Sequence, residues 1–174
     1  MRYSDFEKEL IGCGWQFVPA GGTNPKHISD AASGRLERAG GDVVDFAMSF
    51  NILASQQDDV WFVSFSSYMG VDETDGFAWN EFETESLKSA RDENQADAIR
   101  IFWAIHLPFM VSVKSGYAYL AIVLEGHNKG CIVSGREPEY EEATVVASSL
   151  EYFFDKFVAV IKGEVKSPDL EILI

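Results

Sequence analysis

Four apolar runs in the second half of the chain decide its fold: Phe109-Met-Val-Ser-Val-Lys114, Tyr117-Ala-Tyr-Leu-Ala-Ile-Val-Leu124, Gly130-Cys-Ile-Val-Ser134 and Thr144-Val-Val-Ala147. They are rich in the β-branched and aromatic residues that favour strands. Short segments of turn composition, such as Ser115-Gly116, separate them. Strands joined in this way are typically antiparallel neighbours. We therefore predict an antiparallel meander over residues 109–147.

Helix-capping patterns and helical spacing of apolar residues surround this meander. Ser4 followed by Glu7 predicts a first helix that ends at Gly12 and Gly14, and Ser148 with Glu151 predicts a last helix that ends at Gly163. We expect further helices at 29–38, 42–53, 80–91 and 95–104, strands at 15–18 and 60–65, and a tail after 163. The predicted fold class is α+β, with a mainly antiparallel sheet and helices packed on one face.

Composition limits the possible classes of protein. With 174 residues, 47% of them hydrophobic, the chain can form a full core without disulfides or metals, and we expect one domain over 1–174. Its formal net charge of −14 argues against direct binding to nucleic acid or to anionic membranes. No apolar run is long enough to span a bilayer, no signal-peptide pattern opens the chain, and its two cysteines lack metal-site spacing. We therefore expect a cytoplasmic protein with reduced, at least partly buried thiols.

Known catalytic and cofactor motifs are missing from the sequence. It contains no GxSxG nucleophile motif, no glycine-rich phosphate loop and no histidine spacing typical of a zinc site. His27, His106 and His127 stand far apart in the chain. We therefore predict no catalytic residues, no metal and no cofactor, and the protein is not expected to be an enzyme.

Acidic residues are concentrated in two parts of the chain. Residues 39–87 contain ten carboxylates and no Lys, Arg or His. Two aromatic residues beside acids, Trp79 and Tyr140, are candidate exposed anchors. The predicted partner-binding residues are Asp58, Asp59, Asp72, Glu73, Asp75, Trp79, Glu81, Glu83, Glu85, Glu137, Glu139, Tyr140, Glu141 and Glu142. Two alternatives remain open: a solvated face that keeps the protein soluble, or carboxylates that bind Mg²⁺ or Ca²⁺.

The order of several motifs resembles the SUKH superfamily, the group of Smi/Knr-type proteins. They are a Gly-Gly-Asp that opens a helix ending at Ser49-Phe50-Asn51, then Trp79-Asn-Glu-Phe-Glu, Tyr117-Ala-Tyr-Leu-Ala-Ile, Gly135-Arg-Glu-Pro-Glu139 and Val145-Val-Ala-Ser-Ser-Leu-Glu-Tyr-Phe. The resemblance covers 42–162. The chain departs from the family pattern at Gly41-Asp42, where Leu-Pro is usual, and at Asn51-Ile-Leu, where Asn-Gly-Gly is usual.

The resemblance implies an α+β fold and a role as a bacterial immunity protein. Such a protein binds and neutralises a cognate toxin, often a basic nuclease, and needs no catalytic residues. The strongly acidic composition is compatible with docking on a basic phosphate-binding cleft. An alternative is a regulatory scaffold or adaptor of the same fold that binds a cellular protein. A hydrolase with an unrecognised carboxylate site is a third hypothesis.

Overall fold

The computed structural model describes residues 1–21, 30–70 and 77–174, without the side chains of residues 30 and 31. Its helices are α1 (Tyr3–Gly12), α2 (Asp30–Ala39), α3 (Gly41–Met48), α4 (Phe65–Tyr68), α5 (Glu81–Ser89), α6 (Glu93–Ala104), α7 (Leu150–Ile161) and α8 (Pro168–Glu171). Its strands are β1 (Gln16–Pro19), β2 (Phe50–Ala54), β3 (Val60–Phe62), β4 (His106–Ser112), β5 (Ala118–Val123), β6 (Ile132–Arg136) and β7 (Thr144–Ala147).

The described strands form one seven-stranded sheet in which spatial order follows chain order. Every neighbouring pair is antiparallel, so the predicted meander is confirmed over β4 to β7. β4 begins earlier than predicted, because Pro108 lies inside the strand instead of before it. The register shifts between Pro108 and Met110, and this irregularity accommodates a residue that has no N–H to donate.

The strand register assigns side chains to two faces of the sheet. Trp61 pairs with Val111 and Val111 with Tyr119, so these three side chains share one face, called here the Tyr119 face. Phe62 pairs with Met110, and both lie on the opposite face, called the Phe62 face. All residues of β4 and β5 are buried. Both faces of these central strands must therefore be covered.

Helices cover both faces, whereas one helical face was predicted. On the Phe62 face, the Phe62 ring contacts Phe6 of α1, Phe46 of α3 and Phe157 of α7 at centroid distances of 5.6, 5.4 and 5.7 Å. On the other face, the Tyr119 ring lies 5.0 Å from Phe82 of α5 and 5.0 Å from Trp103 of α6. The α+β class with an antiparallel sheet is confirmed.

The predicted helix over 42–53 is wrong in its second half. α3 ends at Met48, and β2 begins at Phe50. Phe50 and Leu53 fit the helical spacing, but they also fit a strand, because a short apolar stretch does not separate the two periods. Pairing with β1, in which Leu53 opposes Phe17, satisfies the backbone groups of β2. Likewise, the strand predicted over 60–65 ends at Phe62, and Phe65 begins α4, which Ser64 caps by accepting a hydrogen bond from the Ser67 N–H.

Both predicted capping boxes are displaced in the structure. α1 begins at Tyr3 with Arg2 at the cap position, so Ser4 lies inside the helix. α7 is capped by Ser149, one residue after the predicted Ser148, and Ser149 Oγ accepts a hydrogen bond from Tyr152 N–H.

The C-terminal residues pack into the core, although a tail was predicted. Leu170 and Leu173 are almost completely buried. Ser112 Oγ in β4 donates a 2.7 Å hydrogen bond to the Leu173 carbonyl oxygen. The segment that contains α8 therefore covers part of the Phe62 face.

Two further expectations can be compared with the described residues. Cys13 is exposed, contrary to the expectation of burial, and Cys131 is half-buried. No helix in the described ranges combines the length and apolar character needed to cross a membrane.

Candidate protein-binding surface

Four aromatic rings form an arc on the Tyr119 face that has an accessible tyrosine at each end and buried Phe82 between them. Phe82 is buried, and its ring lies 5.1 Å from Phe77 and 5.1 Å from Tyr140. Phe77 in turn stacks on Tyr117 at 5.9 Å with an interplanar angle of 14°. Tyr117 is 48% exposed and Tyr140 is half-buried. The two tyrosines at the ends of the arc are therefore accessible while their rings are supported from behind.

Tyr119 fixes the loop that carries Tyr140. Its ring crosses Gly135, where an added Cβ would lie only 2.4 Å from the phenol, so this close approach requires glycine. The Tyr119 hydroxyl donates a 2.6 Å hydrogen bond to the Tyr140 carbonyl oxygen. The β6–β7 loop is thus tied to the centre of the sheet.

Two carboxylates beside the tyrosines are held by donors of the protein. Glu137 Oε1 accepts a 3.1 Å hydrogen bond from the Tyr117 N–H, and Glu141 Oε1 accepts a 2.7 Å bond from the Trp103 indole N–H. Within the described ranges, the Oε2 atoms of both residues accept no hydrogen bond. Each carboxylate is therefore oriented by one donor, and its Oε2 is not used by any of the described residues.

Carboxylates from both acidic clusters of the sequence lie close enough to Tyr140 to act on its phenol. Burial raises the pKa of the Tyr140 phenol to about 12, and the carboxylates of Glu137, Glu85 and Glu141 add to this rise together with Tyr117. Glu85 belongs to α5, while Glu137 and Glu141 belong to the β6–β7 loop. We call this group, formed by Phe77, Tyr117, Tyr140, Glu85, Glu137 and Glu141, the acidic aromatic surface.

Two cations, Arg35 of α2 and Lys88 of α5 itself, partly neutralise the acids of α5. Glu83 forms a 2.8 Å ion pair with Arg35 of α2, and both side chains are largely buried. Lys88 lies 2.6 Å from Glu85 and 4.0 Å from Glu81. The hydrogen bond from Lys88 lowers the pKa of Glu85. The α5 carboxylates are therefore less available to a partner than their number in the sequence indicates.

The prediction that Trp79 is an exposed anchor is wrong. Only 8% of Trp79 is exposed. Its ring packs 5.8 Å from Tyr68, and the Arg35 guanidinium lies 5.3 Å from its centroid. Trp79 therefore stabilises the attachment of α2 and α4 to α5, and Tyr117 takes the exposed position in this region.

Asp58 and Asp59 lie apart from the acidic aromatic surface, in the turn between β2 and β3. Asp59 Oδ1 accepts a 2.6 Å hydrogen bond from Ser55 Oγ, and its carbonyl oxygen accepts one from Val113 N–H. Asp59 lines an open cleft of about 310 Å³ that also contains Trp15 and Lys114. This turn and the β6–β7 loop occupy the same end of the sheet, with the β4–β5 hairpin between them.

The structure describes only some of the remaining predicted residues. Glu139 and Glu142 are exposed in the β6–β7 loop and form no ion pair with any described residue. Asp72, Glu73 and Asp75 lie outside the described residues.

Comparison with protein-family models, with curated proteins and with solved structures found no match. The resemblance to the SUKH superfamily therefore stays a prediction. The functional argument consequently depends on the geometry of the chain itself, and above all on the acidic aromatic surface.

The histidines and acids were also inspected as catalytic or metal-binding groups. His106 Nδ1–H donates to the Phe102 carbonyl oxygen at 2.7 Å, and its ring stacks on Phe102. Burial lowers the pKa of His106, which favours the neutral ring. Among the described residues, no three or more His, Cys, Asp or Glu side chains are grouped so that they could hold a metal ion.

Sequence reasoning missed Tyr117 and the donors that orient the carboxylates. The alternation in Tyr117-Ala118-Tyr119 contains a usable signal, because residues two apart in a strand share a face. No comparable signal connects Trp103 with Glu141, since only the tertiary structure brings α6 to the β6–β7 loop.

Proposed function

We propose that this chain is a non-catalytic binding protein that docks a basic protein partner on its acidic aromatic surface. The observation that carries the proposal is the position of Glu137 and Glu141, each oriented by a donor of the protein, beside the accessible rings of Tyr117 and Tyr140. Tyrosine is enriched at interface hot spots because it combines a large apolar ring with a polar hydroxyl.

The net charge of the chain indicates that the partner carries a positive charge. A formal charge of −14 attracts a positively charged protein at a distance, and exposed Glu139 and Glu142 increase the negative potential near Tyr140. Complementary charge raises association rates toward about 10⁸–10⁹ M⁻¹s⁻¹ at low salt. The partner is therefore expected to associate rapidly and in a salt-dependent way.

The identity of the partner follows from the resemblance noted in the sequence. If the chain is a SUKH immunity protein, the partner is a cognate bacterial toxin, and a nuclease has the basic phosphate-binding cleft that fits this surface. Binding would block the cleft sterically and electrostatically, so no reaction is required of this chain.

The test combines protection with binding. The toxin encoded beside this gene is co-expressed with the wild-type chain, with Glu139→Lys/Glu142→Lys, and with Asp45→Lys/Glu164→Lys. Each double variant adds four charges, which changes the formal charge from −14 to −10, so net charge is matched. Asp45 lies on α3 and Glu164 follows α7, both in the layer on the Phe62 face, and both are exposed.

We expect the wild type and the control to protect cells and to form a stable complex. The Glu139/Glu142 variant should associate at least about tenfold more slowly at low salt, and the difference should shrink at 0.5 M salt, where the Debye length is about 4–5 Å. Lack of protection by the wild type, or equal association rates for the two variants, would contradict the proposal.

A further inference from the structure

Tyr117 and Tyr140 are two accessible rings whose positions are fixed by the core. Tyr117 stacks on Phe77, Tyr140 contacts Phe82, and Phe77 and Phe82 contact each other. The backbone of each tyrosine is also tied down, since Tyr117 N–H donates to Glu137 and the Tyr140 carbonyl accepts from Tyr119. Little side-chain entropy is therefore lost when a ligand group stacks on one of these rings.

The carboxylates beside these rings are oriented before any ligand binds. Glu137 lies against the glycine turn of the β4–β5 hairpin: a Cβ on Gly116, whose φ is +98°, would lie 2.5 Å from Glu137 Oε1. Glu141 is held by the indole of buried Trp103. In both residues Oε1 is used within the protein, and no described residue donates to Oε2.

Two nearby cations, Lys88 and Arg136, do not neutralise Glu137 and Glu141. Lys88 is engaged by Glu85 and Glu81 of its own helix. Arg136 directly precedes Glu137 but pairs with Ala118, so its side chain projects from the Phe62 face, opposite to Tyr119. The charges beside the tyrosines are thus those of Glu137 and Glu141, with Glu85 already paired.

We propose that this part of the surface receives one arginine side chain of the partner. Its guanidinium stacks on the exposed ring of Tyr117 and donates to Oε2 of Glu137 and of Glu141. Arginine fits better than lysine, because the planar guanidinium stacks on aromatic rings and offers several N–H donors in a fixed plane. This inference rests on the proposed function, and it specifies the side chain by which the partner is recognised.

The test uses a minimal probe, N-acetyl-arginine methylamide, added to ¹⁵N-labelled protein and followed by NMR. N-acetyl-citrulline methylamide is the matched control, since it keeps the size and shape of the side chain without its charge. We expect saturable shifts, in the millimolar range, at the amides of Gly116, Tyr117 and Glu137. The Trp103 indole N–H should shift as well, because it donates to Glu141. Citrulline should leave these signals unchanged.

Variants of Tyr117 distinguish a specific site from general attraction to acids. Tyr117→Leu should weaken arginine binding about fivefold or more, whereas Tyr117→Phe, which keeps the π face, should bind within about twofold of the wild type. Tyr152→Leu on α7, another exposed tyrosine, is the control and should have no effect. None of the three changes removes the hydrogen bond from the backbone N–H of residue 117 to Glu137 Oε1.

Three results would overturn the inference: equal shifts with citrulline, equal arginine binding by Tyr117→Leu, or shifts spread to the amides of Asp45 and Glu164. The experiment also separates this inference from the proposed function. Arginine binding without toxin binding would contradict the proposed function alone. Toxin binding that depends on Glu139 and Glu142 but not on Tyr117 would contradict the arginine site alone.

Discussion

The Ser49 hydroxyl donates a hydrogen bond to the Glu7 carboxyl and so joins the end of α3 to α1. The same Oγ lies 2.6 Å from the Phe46 carbonyl oxygen, so its single proton is shared between two acceptors. Glu7 is 8% exposed, and burial raises its pKa against the opposing effects of Ser49 and Lys8.

The burial of Glu7 predicts a pH-dependent contribution to stability that Glu7→Gln removes. Because the pKa of Glu7 is raised in the folded state, its contribution is fully present below the ordinary value of 4.5 and is lost as pH rises through the folded pKa. Glutamine keeps an acceptor for the Ser49 hydroxyl at every pH and buries no charge. We expect the variant to be the more stable protein at neutral pH, by about 1 kcal/mol. Urea unfolding of both proteins between acid and neutral pH measures the difference, and parallel curves would disprove the assignment.

Gly135→Ala should destabilise the protein because the new methyl group would overlap the Tyr119 ring. We expect a loss of about 1–3 kcal/mol in the free energy of unfolding. Gly34→Ala is the matched control, since a Cβ at Gly34 in α2 meets nothing within 4 Å. That change should stabilise the protein by about 0.5–1 kcal/mol. Denaturant midpoints at constant m-value report both effects, and equal effects of the two changes would refute the steric explanation.

Glu141→Ala should be costly although the residue is only half-buried. It leaves the indole N–H of Trp103, a fully buried side chain, without its acceptor. The expected cost is about 1–3 kcal/mol. Neighbouring Glu142 is exposed and has no such role, so Glu142→Ala should change stability by less than about 0.5 kcal/mol. Thermal or chemical unfolding of the Glu141→Ala and Glu142→Ala variants measures this difference. Equal stability of the two variants would contradict the role of Glu141 as the acceptor for Trp103.

The C-terminal segment should behave as core and not as a tail. Leu173→Ala removes a side chain with 1% exposure and is expected to cost about 2–5 kcal/mol. Ile172→Ala next to it removes a side chain with 38% exposure and should cost much less, about 1 kcal/mol. Denaturant unfolding curves of the two variants measure these losses in the free energy of unfolding. Similar small losses for both would show that the segment does not contribute to the core.

Local sequence patterns predicted most of the elements but not their limits. The apolar runs from 109 to 147 identified β4 to β7 because each run has turn residues on both sides. The stretch from Val43 to Leu53 was assigned to one helix, since its spacing fits the helical period along its whole length. Only pairing with β1 decides that Phe50–Ala54 is a strand, and such pairing depends on residues far away in the chain.

The candidate surface was predicted in part. The two acidic clusters and Tyr140 were visible as charge and aromatic content. That Trp79 is buried under Arg35 and that Tyr117 is exposed depend on which helix covers which part of the sheet. Burial of a large aromatic ring is not a property of its neighbours in sequence, so composition could not separate these two residues.

The sequence by itself determined the strand-rich second half, the main helices and the strongly negative charge, because these depend on local periodicity, turn residues and composition. Only the tertiary structure decided that helices cover both faces of the sheet, that Arg35 of α2 pairs with Glu83 of α5, and that Glu137 and Glu141 are held by donors beside two tyrosines. The physical reason is that packing and ion pairing join residues from distant parts of the chain, and their partners are chosen by the three-dimensional arrangement of the sheet and helices.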